Sequence, residues 1–94
     1  MSMEIIHKKD EKQFEAWENN KMEGHMTYTW IGEDKFIIDH TVVETSAEGK
    51  GVGKSLVMAG VEFARKNNLK ILPLCPFAKL IFEKNEDIHD VLMD

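Results

Sequence analysis

Apolar and polar residues alternate along the first half of the chain, which is the period of β-strands with one buried face. Met26, Tyr28 and Trp30 fall on one face of such a segment, while the residues between them fall on the other. The connections are short, and Asn19-Asn20 suits a tight turn because Asn tolerates positive φ. We therefore expect an antiparallel meander of four strands, over residues 3 to 7, 13 to 17, 25 to 30 and 36 to 43.

The second half of the chain changes to helical spacing. A helix that ends near Asn67-Asn68 is predicted by the apolar or small residues Val52, Leu56, Ala59, Gly60, Phe63 and Ala64. A strand over residues 70 to 74, a helix from Pro76 to Asn85 and one more turn in the tail follow. The order ββββ-α-β-α predicts an α+β fold with a mixed, mostly antiparallel sheet and two helices, in one domain over residues 1 to 94.

A glycine-rich loop separates the strongest strand from the first helix. Residues 48 to 55 read Glu-Gly-Lys-Gly-Val-Gly-Lys-Ser. Alternate glycines let the backbone curl and approach a ligand, and the free N–H groups at the start of the helix favour an anion. Lys50 and Lys54 add positive charge in a chain of net charge -5, so a diphosphate suits this loop.

Three interpretations of the loop compete. It is a flexible turn, since glycine patterns alone are weakly specific, or a nucleotide P-loop, or a coenzyme A pyrophosphate loop. A P-loop requires glycine at position 48, which is Glu48, and it follows the first strand of a parallel sheet. Here the loop follows the fourth strand of a predicted meander instead.

Resemblance to a known family favours the coenzyme A interpretation. Residues 48 to 53 resemble the acetyl-CoA motif of GCN5-related N-acetyltransferases, which reads Gln or Arg, two residues, Gly, one residue, then Gly or Ala. Asp39-His40-Thr41 and Pro73-Leu74-Cys75-Pro76-Phe77 resemble a short single-domain branch of that family. The resemblance implies a truncated fold of that type, acetyl-CoA as the cofactor and acetyl transfer to an amine. It implies a pyrophosphate site formed by Gly49, Lys50, Gly51, Val52, Gly53, Lys54 and Ser55.

Two positions depart from the family pattern. Glu48 stands where Gln or Arg is usual, and because a carboxylate beside a diphosphate is unfavourable, Glu48 is assigned no phosphate contact. Phe82 stands where many relatives carry a tyrosine that protonates the departing CoA thiolate. Because Phe82 has no hydroxyl, the usual general acid is absent.

The strand before the loop supplies the second part of the implied site. In the family this strand commonly bulges and offers backbone groups to the pantetheine arm and the acetyl carbonyl, at positions matching Thr41, Val42 and Val43. Val42 and Val43 fit a plain β-core equally well. Strict alternation places His40 on the face of Phe36 and Ile38, where it is either a structural histidine or a general base or proton shuttle.

Cys75 is the only cysteine and precedes Pro76, a residue favoured at the first helical position. A thiolate at a helix start is stabilised by the helix dipole, which lowers its pKa. Three roles are open for Cys75: a small buried apolar residue, a transient acetyl acceptor, or the acid that replaces the missing tyrosine.

Composition and charge narrow the partners. A net charge of -5 argues against nucleic acid and favours a cationic partner such as an amine or a basic peptide. A single cysteine excludes an internal disulfide, and no apolar run has membrane-spanning length. With no signal-peptide pattern at the start, we expect a cytoplasmic monomer or homodimer without a membrane partner. No residues have metal-ligand spacing, so no metal is expected.

A second hypothesis follows from the length of one connection. Longer family members carry helices after the first strand that help to build the acceptor site, and residues 9 to 24 leave little room for them. The chain would then be a CoA-binding module, or a subunit without its own acceptor site. A nucleotide-binding protein is a third hypothesis, which competition between ATP and CoA would test.

Overall fold

The computed structural model describes residues 3 to 93. The sequence forms β1 (Glu4–Lys8), β2 (Gln13–Glu18), β3 (Lys21–Ile31), β4 (Lys35–Val43), α1 (Val52–Asn67), β5 (Lys70–Pro73) and α2 (Pro76–Lys84). Single 3₁₀ segments cover Lys9–Glu11, Thr45–Ala47 and Glu86–Val91. The predicted order ββββ-α-β-α is confirmed, and the extra turn predicted in the tail is the last 3₁₀ segment.

The strands form one five-stranded sheet in the order β1-β2-β3-β4-β5. The first four are antiparallel neighbours, whereas β5 runs parallel to β4, so the predicted mixed sheet is confirmed. A parallel pair needs a crossover, and α1 provides it. The β2–β3 turn places Asn19 and Asn20 at φ of 52° and 62°, the left-handed values expected of this tight turn.

Strand β4 contains a bulge at Asp39. The β3 residues that face Ile38 and His40 are adjacent in the chain, so Asp39 is an extra residue in β4. A shift of one residue exchanges the two faces of the strand beyond it. The expectation that His40 shares the face of Phe36 and Ile38 is therefore wrong: those two are buried, whereas His40 is exposed, and Thr41 takes the core-facing place beyond the bulge.

The hydrophobic core lies between the sheet and α1, which packs on β2, β3 and β4. Its largest fully buried side chains come from both layers and include Met26, Phe36, Ile38, Leu56, Val57 and Val61. Burying each such side chain contributes about 1.5–3 kcal/mol. The helical periodicity that predicted α1 therefore reflects the stripe that the helix presents to the sheet.

An aromatic cluster fills the β1 end of this core. The His7 ring stacks on Phe14 with centroids 4.0 Å apart, and Phe63 meets His7 edge-on at 4.5 Å. The Nε2 atom of His7 lies 2.7 Å from the Tyr28 hydroxyl oxygen. Burial, followed by the nearby Lys9 ammonium, lowers the pKa of His7. This end of the core is held by rings packed on rings.

The tail is fastened to α1 and β5. Arg65 donates to both carboxylate oxygens of Asp90 at 2.9 and 2.8 Å, and this contact lowers the pKa of the Asp90 carboxyl. The Met93 N–H donates to the Ile71 carbonyl at 2.8 Å, beside a parallel bridge between Ile71 and Leu92. The outer edge of β5 is therefore covered by the tail. Among residues 3 to 93, no helix is long and apolar enough to span a bilayer.

Candidate active site

The ladder between β4 and β5 ends early and leaves an opening. It runs from the Lys35–Lys70 pair to the Ile38–Pro73 pair, and one further bond joins the Cys75 N–H to the Ile38 carbonyl at 3.1 Å. Beyond that point the bulge redirects β4, so residues 41 to 43 have no partner in β5. Proline has no N–H to donate, which agrees with strands that separate here.

The glycine loop curls at the end of this opening. Gly49 and Gly51 have φ of 88° and 78°, in the left-handed region where glycine carries no Cβ penalty. The residue before each of these glycines makes a turn bond: the N–H groups of Glu48 and Lys50 donate to the carbonyls of Thr45 and Ala47, both at 3.3 Å. The loop therefore forms two consecutive tight turns and ends at the start of α1.

The start of α1 is not capped by a side chain. Gly51 is the N-cap residue, and the first helical bond is from the Ser55 N–H to the Gly51 carbonyl at 3.0 Å. The N–H groups of Val52, Gly53 and Lys54 therefore have no acceptor within the helix. Together with the helix dipole, three such donors favour an anion at this point, and binding of a diphosphate by this loop stays a prediction.

A cavity of about 410 Å³ connects the strand edge to the loop. Its walls include these residues from the predicted cofactor site: Thr41, Val43, Gly49, Gly51, Val52, Gly53 and Lys54. Val42, Lys50 and Ser55 were predicted with them but do not line the cavity. Two larger grooves lie beside β1 and contain none of the predicted site residues.

Phe77 is a wall of this cavity that the sequence analysis did not assign to the site. Its ring lies 2.6 Å from the place where a Cβ on Gly53 would stand, so glycine is needed at position 53 for this packing. Phe77 is 38% exposed although it is large and apolar. The motif that contains Phe77 was recognised, but its contact with the loop joins residues far apart in sequence and left no local pattern.

Lys50 and Val42 point elsewhere for identifiable reasons. The Lys50 ammonium lies 3.2 Å from a carboxylate oxygen of Glu18, whose side chain is only 12% exposed. Because this ion pair directs Lys50 toward β2, Lys54 is the lysine that lines the cavity. Val42 is 45% exposed and, two residues on from the exposed His40, shares its face of β4.

Cys75 lies beside the cavity wall. It is 5% exposed, its Sγ is 3.6 Å from the Thr41 hydroxyl oxygen, and it is the N-cap residue of α2. Burial acts to raise its pKa, but hydrogen bonds from the Ala78 backbone, the Thr41 hydroxyl and the Phe77 backbone, with a smaller one at the Thr41 backbone, outweigh burial. The net pKa of Cys75 therefore lies below its ordinary value, as the helix-start position predicted.

His40 and Phe82, the other positions considered for proton transfer, do not line the cavity. His40 is exposed on the opposite face of β4 from Thr41 and does not line the cavity. Phe82 is 2% exposed and belongs to the hydrophobic core. In the part of the chain that the structure describes, no group of His, Cys, Asp or Glu is arranged to bind a metal ion.

Comparisons with known proteins agree with this architecture. The profile of the GCN5-related N-acetyl-transferases matches residues 13–91. A GCN5-like candidate N-acetyltransferase from Staphylococcus aureus is 41% identical, with a TM-score of 0.76 over 96% of this chain and 87% of that one. A search of functionally curated proteins gave no match.

More distant structures share the fold. Ribosomal-protein-alanine N-acetyltransferase from Brucella melitensis is 18% identical, with a TM-score of 0.68 over 77% of this chain and 58% of that one. A predicted acetyltransferase from Clostridium acetobutylicum, solved with acetyl-CoA, is 18% identical, with a TM-score of 0.57 over 77% of this chain and 54% of that one. This chain thus spans just over half the length of either protein. Because the family profile covers most of the chain and the Staphylococcus aureus protein matches nearly all of it, the chain belongs to the GCN5-related N-acetyltransferase family.

Proposed function

We propose that this protein transfers the acetyl group of acetyl-CoA to an amine of a small molecule or a protein. The observation that carries the proposal is one cavity in which an unpaired strand edge meets the uncapped start of a helix. Family members use acetyl-CoA, and the Clostridium acetobutylicum structure contains it. The cavity offers a separate kind of contact for each part of that donor.

The pyrophosphate would bind at the start of α1. Backbone N–H groups of Val52, Gly53 and Lys54 would donate to its oxygens, and the Lys54 ammonium would balance its charge. Glu48 also lines this cavity but is exposed, so its carboxylate is free to turn toward water. Binding through the backbone explains why the chain needs left-handed glycines here more than it needs particular side chains.

The pantetheine arm and the acetyl group would lie along β4. The backbone of residues 41 to 43 is unpaired on the β5 side and can bond the amide groups of the arm. An N–H from the same edge would polarise the thioester carbonyl and stabilise the negative charge that develops on its oxygen. The Phe77 ring would form the apolar side of the channel.

Cys75 is the candidate reactive side chain. In one route the amine attacks the thioester carbon directly and the C–S bond breaks. The Cys75 thiol gives its proton to the departing CoA thiolate, and the thiolate left on Cys75 takes up the proton that the amine loses. In the other, the Cys75 thiolate attacks, the acetyl group moves to Sγ as CoA thiolate leaves, and the amine then displaces the Cys75 thiolate, which takes up the proton that the amine loses. A lowered pKa supports the second route, since the thiolate is the nucleophile.

A CoA-binding module without its own acceptor site is the second candidate. Between β1 and β2 the chain has only the 3₁₀ segment Lys9–Glu11, where longer family members build helices that shape the acceptor site. A protein of this kind would bind acetyl-CoA and show no turnover with free amines.

Calorimetry with CoA, together with intact mass after incubation with acetyl-CoA, tests these alternatives. We expect saturable binding and, on the covalent route, one acetyl adduct that is absent from Cys75→Ala. Binding without an adduct, followed by turnover of an amine, supports direct transfer. Binding without turnover across a panel of amines and basic peptides supports the module. A wild-type protein that is folded and binds no CoA would overturn the proposal.

A further inference from the structure

The two outer strands of the sheet, β1 and β5, differ in whether their outer edges are covered. The outer edge of β5 is covered by the tail through the Ile71–Leu92 bridge and the Met93 N–H. Strand β1 pairs with β2 in one unbroken register, and no other strand within residues 3 to 93 pairs with it. Alternate N–H and C=O groups of β1 therefore point outward, which is the arrangement that recruits another strand.

The two ends of β1 carry opposite charges. The strand reads Glu4-Ile5-Ile6-His7-Lys8, with an acid first, a base last, and two isoleucines and a histidine between them. If two such strands pair antiparallel about a two-fold axis at Ile6, Glu4 lies opposite the partner's Lys8 and Ile6 lies opposite the partner's Ile6. Both ends of the paired strands then carry opposite charges, which stabilises directly opposed positions.

We propose that β1 is the interface with a second copy of this chain, so that two five-stranded sheets join through β1 into one continuous sheet. The same register also preserves the two faces of the sheet, because opposed residues are separated by an even number of positions. Such an interface uses the same strand from both copies and is closed. Since the tail covers the other edge, assembly stops at the dimer.

The surroundings of β1 suit this partner. Glu4 and Lys8 are exposed and accessible to another chain, whereas Ile5 and Ile6 are half-buried. A groove lies along each side of the strand, one containing Ile6 and Trp17, the other Ile5 and Phe63. Each groove has room for side chains from the second copy beside its paired strand. This inference concerns assembly and is independent of the proposed acetyl transfer.

Reciprocal charge exchange tests the interface. In Glu4→Lys alone, two pairs of lysines would face each other, and in Lys8→Glu alone, two pairs of glutamates would. We expect each single variant to dimerise about tenfold more weakly than wild type, since the dimer contains the affected pair twice. An equimolar mixture of the two variants restores opposite charges at both ends, so we expect it to dimerise like wild type.

Sedimentation velocity from micromolar to near-millimolar concentration provides the measurement, with circular dichroism to show that each variant is folded. Glu83→Lys and Lys84→Glu change net charge in the same way at exposed positions in α2, and we expect both to dimerise like wild type. A wild-type protein that is monomeric over the whole range overturns the proposal. So does a mixture of the two β1 variants that associates no better than either alone.

Discussion

At the β1 end of the core, His7, Phe14, Tyr28 and Phe63 lie ring against ring, whereas at the other end of α1 the chain uses glycines, open backbone and a half-exposed phenylalanine. The first arrangement removes apolar surface from water and fixes side chains in place. The second leaves N–H groups and an apolar wall available. Helix α1 joins the two regions. Phe63, near its last turn, packs in the aromatic cluster and stabilises the fold. The N–H groups of its first turn are open to a ligand.

Removing a ring from the aromatic cluster should have the largest effect on stability. Phe14 is 2% exposed, and truncating such a residue costs about 3–5 kcal/mol in the free energy of unfolding. We therefore expect Phe14→Ala to unfold at much lower urea concentration while the protein that remains folded binds CoA as wild type does. Urea titration with and without CoA separates the two quantities. A large loss of CoA affinity in the folded fraction would show that the two regions are not independent.

The backbone of the loop should be the next most sensitive feature. Gly51 has φ of 78°, and a side chain there costs about 1–3 kcal/mol in backbone strain. Gly51→Ala should lower both stability and CoA affinity, because relieving the strain moves the donors at the start of α1. Gly32→Ala is the matched control, since Gly32 has φ of 64°, equally open surroundings and a place in the β3–β4 turn. Equal CoA affinity in the two variants would contradict an anion site at the loop.

Truncating Phe77 should lower CoA affinity more than stability, which is the opposite of what we expect for Phe14→Ala. Phe77 is 38% exposed whereas Phe14 is 2% exposed, so Phe77→Ala should cost less stability than Phe14→Ala, yet it removes the apolar wall of the cavity. We expect CoA affinity to fall about tenfold, as loss of an apolar contact of this size would give. Calorimetry with CoA and a thermal unfolding curve on the same sample are sufficient. Unchanged affinity would remove Phe77 from the proposed channel.

Acid should weaken the aromatic cluster modestly. The folded pKa of His7 lies below its ordinary value of 6.5, so the unfolded chain binds more protons in that range. The contribution of neutral His7 to the free energy of unfolding is therefore fully present above about pH 6.5. It is lost as the pH falls through the pKa that His7 has in the folded protein. His7→Phe retains the stack on Phe14 and should show a flatter dependence of stability on pH between neutrality and the carboxylate range. Parallel curves for the two proteins would mean that His7 does not titrate with folding.

The order of elements could be predicted from sequence because it depends on local period and turn residues. Alternation defined the strands, three- and four-residue spacing defined α1, and Asn19-Asn20 marked the β2–β3 turn. The glycine loop could be located for a similar reason, since glycines at alternate positions permit the left-handed backbone that Gly49 and Gly51 adopt. These features are decided within a few residues of chain.

What could not be predicted depends on contacts between distant segments. The bulge at Asp39 is invisible in the pattern because His40-Thr41 is polar on both faces and Val42-Val43 is apolar on both. No local signal links Lys50 to Glu18, although that ion pair takes a predicted phosphate ligand away from the cavity. The packing of Phe77 on Gly53 likewise appears only when α1 and α2 are assembled.

The extra residue in β4 divides the strand into two parts whose side chains face different surroundings. Before Asp39, the core constrains side-chain volume, because Phe36 and Ile38 are buried in the interior. After it, the alternation restarts one residue out of step, so that Thr41 and Val43 line the cavity while His40 and Val42 are exposed on the other face. A change of side-chain volume at Thr41 or Val43 would therefore alter the cavity directly, whereas Phe36 and Ile38 lie outside its walls. One inserted residue thus lets a single strand fill the interior with its first part and line the cavity with its second.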